Sequence, residues 1–191
     1  GELGALCRVA LLRANGYGPD EHAEALRSAL DAVRAAAAHL LARRDDAPGD
    51  RDLLLRALLD ADEEVQAWAA WGLARRGDAK LGRARLIELT RRAPSWGDHA
   101  PLIAADLLAR LGDRQGLESL RRALVVADSG REVVRRLYPF LLAEADAPGP
   151  VTETLNAALQ HEDPGVRRLA HDQLQAARRG VSGVTTGAGA G

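Results

Sequence analysis

The chain has one cysteine, Cys7, no methionine and a single lysine, Lys80, and aromatic residues make up only 3% of its 191 positions. One thiol cannot close an intramolecular disulfide, and a zinc site built on several cysteine ligands is excluded with it. No run of about 18 apolar residues occurs, so no segment reads as a membrane span. The amino end, GELGALCRVALLRANG, has no signal-peptide layout, because Glu2 and Arg8 bracket its apolar part. A cytoplasmic protein is therefore expected. Charge of either sign is not in excess: 26 basic residues stand against 27 acidic ones, a formal net charge of −1. A dedicated nucleic-acid binder is usually strongly basic, so nucleic acid is not the expected partner.

What remains is Ala, Leu, Val and Arg. Hydrophobic residues are 47% of the chain. Ala and Leu lead the helix-propensity ranking, and small to medium side chains suit closely packed helices better than a sandwich or barrel. The Arg and Ala excess reads first as codon bias of a GC-rich genome. Its functional alternative is an anion-binding surface, since Arg forms bidentate pairs with carboxylate and phosphate.

One short text recurs. ARRDD (Ala42–Asp46), ARRGD (Ala74–Asp78), ARLGD (Ala109–Asp113), AEADA (Ala143–Ala147) and AARRG (Ala176–Gly180) follow one another at steps of 32, 35, 34 and 33 residues. A fixed period in this range marks a stacked repeat architecture. The expected units are 19–46, 49–78, 79–113, 114–147 and 148–180. Residues 1–16 precede them as an unpaired helix, and 181–191 follow as a flexible Gly-rich tail.

Within the unit 49–78, DRDLLLRALL forms the first helix, with Leu54, Leu55, Leu58 and Leu59 at helical spacing. Glu63 and Glu64 open the second helix, where negative charge suits the dipole. Val65, Ala69 and Leu73 form one stripe at i, i+4 and i+8. Gly77 ends the helix in the left-handed position, and Asp78 can cap the next. Matching stripes are Val33, Ala37 and Leu41; Ala100, Ala104 and Leu108; Val134, Tyr138 and Leu142; and Val166, Ala170 and Leu174. Tyr138 and Pro139 predict a kink or wider spacing there. In the earliest unit ALRSAL runs directly into Asp31, so its two helices either turn very tightly or merge.

A paired-helix unit of about 33 residues carrying EDPGVRRLA (Glu162–Ala170), DAVRAAAAHLLARR (Asp31–Arg44), WGLARRGD (Trp71–Asp78) and LLARLGD (Leu107–Asp113) resembles a HEAT repeat. The bacterial PBS-lyase HEAT-like subclass is the most similar variety. The resemblance covers about Asp20 to Arg179. Gln66 and Pro101 depart from it at a position that is usually Arg, and RRAPSWGDHAP is a long turn for such a unit. It implies an all-α, right-handed solenoid of about five antiparallel helix pairs with an ARM-type superhelix, whose second helices line a concave face. It also implies a scaffold or protein-binding module, with two enzyme activities as the alternative: alkylpurine DNA glycosylase-like or bilin lyase-like chemistry on the same face.

Two positions of each second helix fall opposite the core stripe. One holds Arg34, Gln66, Pro101, Arg135 and Arg167; the other holds His39, Trp71, Asp106, Phe140 and Asp172. Variable residues on a fixed frame suit a partner surface, and aromatics and Arg often dominate interface energy. The expected partner-binding residues are Trp71, Asp106, Arg135, Phe140, Arg167, Asp172, Arg34 and His39. Their partner is a peptide or helix with some basic and some apolar character. Trp68 is expected to pack between units and Trp96 to pin the long turn.

No catalytic residue, cofactor site or metal site is expected. The five histidines have no metal-ligand spacing, no serine lies in a nucleophile elbow, and no glycine cluster forms a phosphate loop. Asp62, Glu63 and Glu64 stand where helix caps belong. The recurring Arg pairs sit mostly in last turns, where the helix dipole and nearby carboxylates account for them. The apolar segment at the amino end lacks a first-helix partner, so further repeats or another chain are expected to pack there.

Overall fold

Proline at N1, acidic first turns and glycine exits divide this Ala- and Leu-rich chain into short helices. The computed structural model describes residues 19–44, 47–95, 98–126, 129–144 and 148–185, with side chains through 179. The described residues hold α1 (Pro19–Ala25), α2 (Asp31–Arg43), α3 (Asp50–Ala57), α4 (Glu63–Arg75) and α5 (Ala79–Leu89). They continue with α6 (Ala100–Arg110), α7 (Arg114–Ala123), α8 (Gly130–Ala143), α9 (Pro150–Ala158) and α10 (Pro164–Thr185). No strand occurs among them, so the fold is all-α. The unpaired amino-terminal helix expected over 1–16 and the role expected of Trp96 lie outside the described residues.

Two compact units divide the chain: residues 1–92 with 99–116, and residues 93–98 with 117–191. In the first, α2 packs on α4 and α4 on α6, while α3 and α5 pack against α4. Val33, Ala37 and Leu41, then Val65, Ala69 and Leu73, then Ala100, Ala104 and Leu108 are all buried, as the stripes predict. The ends of α4 and α6 follow the glycine rule. Gly77 and Gly112 take φ of 99° and 74°. The N–H groups of Asp78 and Asp113 then return to the carbonyls of Leu73 and Leu108 at 3.1 Å each.

The earliest pair is two separate helices. The first lies ahead of ALRSAL, over PDEHAEA, because Pro19 and the acidic pair Asp20 and Glu21 suit a first turn. ALRSAL is the end of that helix and the turn. The Ser28 hydroxyl accepts the Leu30 N–H at 3.3 Å, and the Arg34 guanidinium donates to the Ser28 carbonyl at 3.0 Å. Asp62 caps α4, accepting the Val65 N–H at 3.0 Å. Asp78 makes no side-chain cap of α5 and takes the Arg51 guanidinium instead, at 2.7 Å.

In the second unit α8 packs on α10, and α9 against both. The stripe in α8 differs from the expected one. Val133, Leu137 and Leu141 are buried along with Val134, while Leu142 is 47% exposed. The core register is thus one residue earlier, 33 residues before Val166, Ala170 and Leu174, which are buried as expected. A phenol at Tyr138 fits a half-buried site better than the closest helix contact, which falls to Leu137. Pro139 lies within the single helix Gly130–Ala143. At the carboxyl end, α10 runs on to Thr185, so residues 181–185, expected in the flexible tail, are helical; Gly180 and Gly183 lower helix propensity by about 1 kcal/mol each without ending the helix. Residues 186–191 lie outside the described residues.

Candidate partner-binding face

With Val65, Ala69 and Leu73 turned inward, helical geometry sends Glu64, Trp68, Trp71 and Arg75 to the opposite side of α4. The equivalent stripe on α2 is Ala32, Ala36, His39 and Arg43, and on α6 it is His99, Ile103, Asp106 and Arg110. Because α2, α4 and α6 pack side by side, these stripes form successive rows. One row is His39, Trp71 and Asp106; the next is Arg43, Arg75 and Arg110.

The aromatic part of this face is assembled by contact. His39 stacks on Trp68 with ring centroids 4.1 Å apart and planes at 30°. Trp68 meets Trp71 edge-on, at 6.0 Å and 80°. The Arg75 guanidinium lies 4.8 Å from the centroid of the Trp71 ring, a cation–π contact. The Trp68 indole donates to Glu64 Oε1 at 3.3 Å. Both tryptophans are half-buried and pack against the apolar clusters on either side of α4. The Trp71 Nε1–H is shielded from solvent without a hydrogen-bond partner.

Asp106 is not on open surface. It is 4% exposed, within a helix whose residues Ala100 to Ala109 are all buried, and it accepts Arg110 Nε at 3.0 Å. Periodicity places Asp106 opposite the core stripe but says nothing of what covers that side. Arg34 is also committed. Its Nε and Nη2 form a bidentate pair with Asp60 at 2.9 and 3.0 Å. Burial raises the Asp60 carboxyl, but the Arg34 guanidinium and the N–H groups of Asp62 and Ala61 outweigh it and hold the group below its ordinary range.

The second unit carries the other four predicted residues. Arg135 is exposed and only 3.7 Å from Glu132 at its nearest. The one-residue shift of α8 puts Val134 and Pro139, not Arg135 and Phe140, at the two positions the repeat assigns to the partner face. Phe140 is half-buried. Arg167 folds back on its own turn, donating to the carbonyls of His161 and Glu162 at 2.6 and 2.8 Å. Asp172 is exposed, with His171 at 3.6 Å and Arg168 at 4.0 Å.

The Arg pairs have a geometry that last-turn placement does not predict. The second Arg of each of the first two pairs turns inward to Asp50: Arg44 Nε donates to it at 2.8 Å, and Arg76 Nη2 lies 3.6 Å away. Arg76 also donates to the carbonyls of Leu41 and Arg44, at 2.8 and 3.0 Å, at the end of the preceding second helix. The first Arg of each pair, Arg43 and Arg75, faces outward. The signal for this row was the repeated motif itself, whose second letter is Arg43, Arg75 and Arg110 in turn.

No group of three or more His, Cys, Asp or Glu side chains that could hold a metal ion occurs among the described residues, and no described helix is long and apolar enough to cross a membrane. Compared with known protein families and with curated proteins, the chain matches none.

Proposed function

We propose that this chain is a non-catalytic protein-interaction module, a right-handed solenoid of HEAT-like repeats whose second helices present the binding surface. The observation that carries this reading is the outer stripe of α4, where Trp68 and Trp71 are half-buried and flanked by His39 and Arg75. Large flat side chains already ordered by stacking lose little entropy when a partner covers them, and Trp and Arg are the common anchors of interfaces. The side-by-side packing of α2, α4 and α6 supports the repeat reading, as does the return of the same glycine exit at Gly77 and Gly112. A cytoplasmic setting fits the single cysteine. The glycosylase-like alternative needs an accessible acid beside Trp71, and Asp106 is buried and held by Arg110.

Affinity purification from the native host tests this reading, comparing wild type with a Trp71→Ala, Arg75→Ala variant verified as folded by circular dichroism. Loss of a specific partner from the variant is expected. A partner set that survives intact would place the working surface elsewhere.

A further inference from the structure

Among the described residues, an Arg side chain faces outward in the last turn of each of the first unit's second helices. Arg43 and Arg75 are exposed, and Arg110 keeps 39% of its side chain in solvent. Arg75 Nη1 donates to the Ala42 carbonyl at 2.8 Å, which sets its guanidinium beside the start of Arg43. Arg110 occupies the same register on α6, the next helix in the row.

Among the described residues, two acids that follow these helices pair outside the row, and Asp106 pairs with Arg110. Where the final Asp of the motif is described, it pairs with an Arg outside the row: Asp78 with Arg51 at 2.7 Å and Asp113 with Arg83 at 3.1 Å. Glu64, at the other end of the α4 stripe, accepts the Trp68 indole. Asp106, in the neighbouring row, is buried and accepts Arg110 Nε at 3.0 Å. The aromatic step of His39, Trp68 and Trp71 lies one turn away along the same stripes.

We infer that this edge binds an acidic segment of a partner protein, with carboxylates on Arg43, Arg75 and Arg110 and an apolar side chain on the Trp68–Trp71 step. This rests on the reading of the second-helix face as a protein-binding surface and reverses the charge expected of the partner. The reversal follows from the burial of Asp106. Guanidinium forks take carboxylates bidentately, and three in a row read an extended run of acids better than one acid alone.

Fluorescence polarisation with three labelled probes tests it: a dodecapeptide repeating Glu-Phe-Glu-Gly, the same peptide with Lys for Glu, and a single-stranded oligodeoxynucleotide of equal length. The acidic peptide is expected to bind at least about tenfold more tightly than either other probe, and to weaken about tenfold between low and high salt. Arg43→Glu, at an exposed last-turn position, should weaken it by about threefold or more, and Arg43→Gln with Arg75→Gln and Arg110→Gln by about tenfold. Arg168→Glu, in the second unit, should leave it unchanged. Tighter binding of the basic peptide would overturn the charge assignment and leave the face reading standing. Tighter binding of the oligonucleotide would make this a nucleic-acid edge. Failure of both peptides would remove the face reading and this inference together. Equal losses from Arg43→Glu and Arg168→Glu would reduce the effect to overall charge, against the inference.

Discussion

Arg76 and Asp50 form an ion pair at 3.6 Å with neither side chain open to solvent, 5% and 0% exposed. Asp50 begins α3 and Arg76 follows α4, and Arg44, at the end of α2, completes the cluster. A carboxylate held between two guanidiniums fixes where three helix ends meet. Removing one partner of a buried ion pair is strongly destabilising. Asp50→Ala should therefore cost about 3–5 kcal/mol in urea unfolding. A loss under about 1 kcal/mol would mean that the cluster is solvated.

Gly82 and Gly116 mark a repeated close approach. A Cβ at Gly82 would lie 2.9 Å from the Ala74 backbone nitrogen, and one at Gly116 would lie 2.6 Å from the Ala105 carbonyl oxygen. Glycine to alanine inside a helix ordinarily stabilises by about 1 kcal/mol. Here the sign should invert, with Gly82→Ala and Gly116→Ala each destabilising by about 1–3 kcal/mol through overpacking. Thermal melts of the two variants check this, and a raised Tm in either would contradict the packing.

The register of α8 can be tested by two adjacent leucines. Leu141 is 4% exposed and Leu142 is 47% exposed. Leu141→Ala should cost about 2–5 kcal/mol and Leu142→Ala under about 1 kcal/mol. The opposite order would restore Val134, Tyr138 and Leu142 as the core stripe.

Acid should loosen two Arg–Asp bridges that join one helix to the end of another. The Arg51 guanidinium holds Asp78 below its ordinary value of 3.8, and Arg131 with the Gly165 N–H does the same for Asp163. A depressed folded value means that the stabilisation is complete above the unfolded value near 3.8. It is lost as pH falls through the lower folded values. Asp78→Asn with Asp163→Asn should therefore flatten the fall in Tm below about pH 4. An unchanged acid limb would show that these pairs are silent.

Helix existence and the inward stripes were legible because Val, Ala and Leu recur four residues apart on a polar background. Helix ends were legible where Gly77 and Gly112 stand. The α8 register was not, because VVRRLYPFLL offers two adjacent stripes with the same spacing, and only burial separates them. The candidate face was half legible. Its aromatic row follows from periodicity, whereas the fates of Arg34 and Asp106 depend on Asp60, 26 residues away, and on what covers α6. The inward turn of Arg44 and Arg76 depends likewise on Asp50, buried where three helix ends meet.

Isotope-edited NMR of the full chain, titrated with the acidic dodecapeptide, tests the partner face most directly. The account predicts that the backbone amides of Arg43, Arg75 and Arg110 and the indole N–H signals of Trp68 and Trp71 shift together along one saturating curve. Shifts confined to residues 117–179, or none at saturating peptide, would contradict it.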